Sequence, residues 1–336
     1  MRFSLCLLGT VLSVALARDA AAFCRTETCA PPADFTPTAA RCVPAGFTTC
    51  VMGSDTVNSI PLWWKSKCVG YSVQKAASKY ATLDQATKAA AGAFAAWSSA
   101  VCAGAPSLSG QDLGPVVCGD AAFNLNGGNQ NVIVFRDAAW PHKTAEQQRL
   151  NQASPTVALT TVSFNRDTGE ILDADIELNT ADHKITVTDT PGTGVFDLES
   201  VLTHESGHFI GIAHSPDATA VMYFQDEGGS SKHRALGADD AAAVCTVYPP
   251  SGPRPVATVV DSSGFTAAGS CDPAPRNGLS STCVVGGTTT TTKTSSGCAA
   301  SPGASGGVAG GAGGLLGLGF AALVVARRRR RAILSA

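Results

Sequence analysis

Positive charge is scarce along most of this 336-residue chain. Six of its 24 Lys and Arg residues, Arg2 and Arg327 to Arg331, lie outside residues 18–300, whereas all 26 Asp and Glu lie inside. That stretch carries a formal excess of eight negative charges, which argues against nucleic acid as a partner. None of the 12 cysteines forms a Cys-x-x-Cys pair, so the usual spacing of a cysteine-bound metal site is missing. A regular strand–helix–strand repeat is absent too, which excludes a doubly wound parallel architecture. Histidine is rare, yet three of the six fall within eleven residues.

The two ends read differently from the middle. Arg2, the apolar run Phe3 to Ala17 and the small-residue patterns ending at Ala17 and Ala22 predict a signal peptide over residues 1–22. Gly306 to Ala326 contains no polar side chain and is followed by five arginines. Its 21 residues are long enough for a membrane-spanning helix, with the arginines on the cytoplasmic side. Cys298, the Gly-rich stretch, Leu315 to Val325 and the arginine block resemble the C-terminal sorting signal of exported myxobacterial proteins. That resemblance implies a tail that is recognised and removed near the cysteine. The expected location is the cell surface or the medium, with envelope attachment through residues 301–336.

Setting aside Cys6 and Cys298 leaves ten cysteines, an even number that suits up to five disulfides in an oxidising compartment. The pairing stays open; the short separation of Cys271 and Cys283 invites a local loop. Residues 23–60 read as a disulfide-rich extension and residues 61–249 as the main domain. Residues 250–300, rich in Pro, Gly, Ser and Thr, read as a stalk with little to bury.

Within the main domain Thr82 and Gln85 form a capping-box pattern. Ala86, Ala90, Ala93, Phe94 and Trp97 continue it as one apolar helix face. Asn131 to Phe135 and Val157 to Phe164 read as strands. Gly169 to Asn179 alternates: Leu172, Ala174, Ile176 and Leu178 face a core, and Asp173, Asp175 and Glu177 face away. Two readings compete for that acidic face, a solvated surface and a calcium site. Alternation alone supports the first, while the oxygen ligands suit the second. Asp197 caps a helix that runs to Gly211, and a last helix covers Asp239 to Tyr248. The fold class is therefore α+β, with a mixed twisted sheet, a long packing helix, an active-site helix and a C-terminal helix.

The chemistry is concentrated in His204-Glu-Ser-Gly-His208-Phe-Ile-Gly-Ile-Ala-His214. Residues four apart on a helix share a face, so His204 and His208 can hold one ion. A continued helix would carry His214 about 9 Å further along its axis, too far to join them. The chain must turn, and Gly211 is the residue that accepts a positive φ without penalty. Three imidazoles leave one zinc coordination position open for water, and Glu205 is placed to act as its general base.

These residues resemble the metzincin clan of zinc endopeptidases, and most of all its matrixin branch. The clan's signature matches at His204, Glu205, His208, Gly211 and His214, with Ser215 next. Met222 in Ala-Val-Met-Tyr resembles the Met-turn, the apolar floor beneath the zinc. Tyr223 then begins the wall of the pocket for the residue after the scissile bond. Phe224 follows where matrixins commonly have proline. Ala-Phe-Ala-Ala-Trp-Ser around Phe94 and Leu-Gly-Ala-Asp-Asp from Leu236 extend the match over roughly residues 61–249. His142 and His183 lack the spacing of the second, structural zinc of animal matrixins, so one zinc is expected.

The resemblance implies an endopeptidase that hydrolyses protein or peptide substrates without a covalent intermediate. Two rivals are a non-catalytic adhesin on the same scaffold and a narrow amidase of cell-wall peptides. The intact Glu205 argues against the adhesin, because a retired site has no use for a base.

Overall fold

A computed structural model describes residues 23–26, 61–165, 168–255, 265–283, 319–320 and 332–335. The expected signal peptide, most of residues 23–60, the end of the expected stalk and nearly all of the expected sorting or membrane segment lie outside the described residues. Among the described residues no helix is long and apolar enough to cross a membrane.

The elements run β1 (Cys24–Arg25), β2 (Cys68–Val73), α1 (Leu83–Ser98), β3 (Ser109–Asp112), β4 (Val132–Phe135), α2 (Ala145–Arg149), β5 (Thr156–Phe164) and β6 (Ile171–Leu178). Then follow β7 (Ile185–Thr186), β8 (Phe196–Asp197), α3 (Leu198–Phe209), β9 (Ile212–Ala213), β10 (Gln225–Asp226) and α4 (Ala238–Val247). The α+β expectation holds. Five strands lie in the order β3-β2-β4-β6-β5; only β5 runs antiparallel to its neighbour, along β6. The backbone of Ala332–Ser335 continues the sheet beyond β5, parallel to it.

Helices α1 and α3 pack on one face of this sheet. Thr82 caps α1 through its hydroxyl, and Gln85 returns the bond to the Thr82 amide, as the sequence pattern requires. The buried face of α1 is Ala86, Ala89, Ala90, Ala93, Phe94 and Trp97. Small alanines let α3 approach closely, while Phe94 stacks on Tyr71 and meets Phe209 edge-on. Trp97 reaches across and donates its indole N–H to the Thr203 carbonyl at 2.8 Å.

The opposite face of the sheet is also covered, which corrects two expectations. Residues 265–283 were expected in a stalk, but Cys68–Cys271 and Cys118–Cys283 bind this segment to β2 and to the loop before β4. Cys271 and Cys283 therefore do not pair with each other. Val116, Val132, Val134 and Cys283 form a small core beneath this layer. Arg254, at 0 % exposure, donates to the carbonyls of Ser66 and Ser107 and lies over the Tyr248 ring. A side chain so thoroughly buried, with one nitrogen holding two carbonyls, belongs to a packed body rather than to a solvated linker. A third disulfide, Cys102–Cys245, joins the segment after α1 to α4.

Candidate metal centre and its surroundings

Helix α3 is capped by Asp197, whose carboxylate accepts from the Ser200 amide at 2.9 Å. It ends at Phe209, with Ile210 as C-cap and Gly211 beyond it at φ +87°. Gly211 donates to the His208 carbonyl at 2.9 Å, and its missing side chain matters twice. The backbone is left-handed there, and a Cβ would stand 2.7 Å from the Leu62 carbonyl oxygen. The carbonyls at the end of the helix find partners in aromatic donors. Trp64 Nε1 bonds to the Phe209 oxygen at 2.8 Å and the Tyr248 hydroxyl to that of Ile210 at 2.7 Å.

The reversal at Gly211 brings His214 back to the other two histidines. His208 Nε2 lies 3.0 Å from His204 Nε2 and 3.2 Å from His214 Nε2. One ligand atom from each of the three can be chosen so that all lie within 4.8 Å. An ion held tetrahedrally at about 2.0–2.1 Å from each nitrogen asks for nitrogens roughly 3.3–3.4 Å apart. The two short separations are close to that figure. The ring orientations agree, since His204 Nδ1 lies 2.7 Å from the Val221 carbonyl and His208 Nδ1 2.8 Å from that of Ile212. A carbonyl can only accept, so Nδ1 carries the proton and Nε2 keeps its lone pair for a metal. Burial, aided by the neighbouring imidazoles, holds both rings well below the usual histidine pKa, in the neutral ligating form. These residues fit a zinc ion.

Glu205 is fully buried, and its Oε2 accepts from the Thr160 hydroxyl on β5 at 2.6 Å. Met222 is 1 % exposed and lies against the helix at Gly207, where an added Cβ would come within 2.3 Å of its sulfur. Gly207 is thus required by the methionine and by Trp97, whose ring carbon would be 2.7 Å away. The Met222 turn is fixed from below by Asp240, whose carboxylate accepts from the amides of Val221, Met222 and Gly237. Ser215 hydrogen-bonds to the Met222 carbonyl through its amide and to Asp239 through its hydroxyl. Half-buried Phe224 lies 6.3 Å from the His214 ring and 4.8 Å from Tyr223, centroid to centroid. The sequence pattern carried no role for Thr160, Gly207 or the Asp240 bonds. Only the tandem Asp239-Asp240 offered a signal, and it pointed to a helix start.

The acidic row on β6 differs from the expected solvated face. Asp173, Asp175 and Glu177 are each 2 % exposed or less, so the face is not solvated. Among the described residues only the histidine cluster brings three possible ligand atoms within 4.8 Å of one another. Glu177 is taken by Arg136 at 2.6 Å and by His142 at 2.7 Å. Burial pushes its pKa up, but the hydrogen bonds and nearby charge from these two side chains outweigh it and hold the acid below its ordinary range. Asp175 accepts from the Val132 amide and shares a hydrogen bond with Asp173. Desolvation lifts Asp173 to about 7 and Asp175 well above the ordinary value, so the pair retains a proton.

Residues 126–249 match the family model described as Matrixin. "Metalloendoproteinase 1" of Glycine max is 57 % identical over 37 residues, 11 % of this chain and 12 % of that protein. "Metalloendoproteinase 1-MMP" of Arabidopsis thaliana is 46 % identical over 55 residues, 16 % of this chain and 15 % of that protein. The chain therefore spans only about an eighth to a seventh of the length of these curated relatives.

Proposed function

We propose that the chain is a zinc-dependent endopeptidase of matrixin-like type, acting on extended protein or peptide substrates. The observation that carries this reading is the convergence of three buried imidazoles one helical turn and one chain reversal apart, with a buried carboxylate adjacent on the same helix. His204, His208 and His214 would hold the ion. Zinc, when bound there, supplies a Lewis acid that polarises the scissile carbonyl and makes water more acidic.

The remaining work falls to the chain's own groups. The carboxylate of Glu205 takes the proton of the attacking water and gives it to the departing amide nitrogen. The carbonyls of Val221 and Ile212 hold the imidazole tautomers through each turnover. Met222 and Trp97 keep water from beneath the site with an apolar floor. Tyr223 and Phe224 would line one wall of the adjacent substrate pocket. In that pocket Phe224 in place of proline gives a bulkier, aromatic surface.

The test compares the purified protein with Glu205→Gln on denatured protein and a peptide library, with zinc measured in both. About one zinc in each is expected, with hydrolysis at least roughly 100-fold lower in the variant. Equal cleavage by both would remove the mechanism. Zinc missing from both, with no cleavage, would favour the adhesin reading. Export to an oxidising compartment belongs to the same proposal; the three disulfides among the described residues support it. The proposed division is a signal peptide, an N-terminal extension, a peptidase body and a C-terminal envelope segment.

A further inference from the structure

We infer that Thr160, on strand β5, is a positioning residue for the carboxylate of Glu205. This rests on the reading of Glu205 as the general base.

The terminal torsion of a glutamate side chain is broad and nearly twofold, so a carboxylate plane is held only by what it touches. Here Thr160 Oγ1 lies 2.6 Å from Glu205 Oε2 and 3.1 Å from the Glu205 backbone carbonyl. A hydroxyl has one proton, and the shorter, charge-assisted contact receives most of it. Both residues are inaccessible: Thr160 is 1 % exposed and Glu205 0 %. A methyl group put in place of the hydroxyl keeps its volume and leaves no room for a replacing water on the Thr160 side of the carboxylate. Thr160 is itself held firmly. It lies in the middle of β5, opposite Ile176 on β6, with a β-branched side chain that has few rotamers on a strand. The rigidity of the sheet is thus transmitted through one bond to the group that moves the proton.

That coupling has a functional consequence. β5 and α3 are separate elements, and the ligands His204 and His208 both belong to the helix. The hydroxyl of Thr160 ties the base on that helix to the strand across from it. A base held less firmly spends less time aligned with the water it must deprotonate, and misalignment lowers turnover rather than binding.

The experiment uses the full chain loaded with zinc and three variants: Thr160→Val, Thr160→Ser and Thr160→Val combined with Glu205→Gln. Valine keeps the shape and strand preference and removes the hydroxyl; serine keeps the hydroxyl. Loss of one hydrogen bond to a charged group predicts kcat about tenfold lower in Thr160→Val, with KM within roughly twofold. Zinc content should stay near that of the parent, and Thr160→Ser should recover most of kcat. In the Glu205→Gln background the valine should cost little more.

A readout independent of turnover is the side-chain carboxyl carbon resonance of Glu205 in glutamate-labelled protein, assigned by its loss in Glu205→Gln. It should move in Thr160→Val and return in Thr160→Ser. Parental kcat in Thr160→Val, or equal damage by valine and serine, would overturn the assignment while leaving the peptidase reading intact. A parent that holds zinc but hydrolyses nothing would overturn both.

Discussion

At the scale of single residues, the site depends on positions where one atom decides the geometry. Gly211 combines a φ of +87° with a carbonyl 2.7 Å from where its Cβ would be. An alanine there should cost about 1–3 kcal/mol in backbone strain and displace the loop that carries His214. For Gly211→Ala the expected outcome is a lower unfolding midpoint together with weaker zinc retention against a chelator. Unchanged zinc affinity would show that His214 is delivered independently of the turn. Glu205 and the three histidines could be read from spacing because helical periodicity converts sequence distance into direction. Thr160 could not, since its neighbour Glu205 is 45 positions away and meets it only through the packing of β5 on α3.

At the scale of elements, strand β6 shows where periodicity stops being informative. Alternation correctly separates Ala174, Ile176 and Leu178, which enter the main core, from the acids on the other side. It does not say what covers that other side. The covering layer includes loops closed by Cys118–Cys283, and beneath it Asp173 and Asp175 are forced to share a proton. An exposed aspartate loses its proton near 3.9, whereas folded Asp173 loses it near 7. Between these values the folded chain binds a proton that the unfolded chain has released. The contribution of Asp173 to stability therefore falls as pH rises from about 4 to 7, and that loss persists above. Asp173→Asn removes this titration, so its thermal midpoint relative to the parent should rise from pH 5 to pH 8, by about 2–4 °C for each kcal/mol. A difference that does not vary with pH would refute the shared-proton arrangement.

On the scale of the whole molecule, the two faces of the sheet have different tasks. The helical face holds the candidate metal centre, clamped between α3, the Met222 turn and the Asp239-Asp240 pair of α4. The other face is closed by distant chain, with disulfides that span 203 and 165 residues. Crosslinks over such separations restrict the unfolded chain most and suit a body that works outside the reducing cytoplasm. The proposed envelope segment begins after this body. Cells expressing the full chain should therefore retain more of it in the envelope than cells expressing a version truncated at Gly297. Indistinguishable distributions on fractionation would count against an anchoring or sorting role.

What the sequence by itself determined is local and periodic: the capped helix from Leu83, the strand alternation at β6, the helix that presents His204 and His208, and the turn demanded by Gly211. These follow from steric rules that act within a few residues. Long-range packing decided the rest. It turned an expected stalk into a disulfide-bound cover, an acidic strand face into a buried proton-sharing pair, and Thr160 into a neighbour of Glu205. Each of those outcomes depends on which distant segment packs on a surface and excludes water from it, and no short-range pattern encodes that.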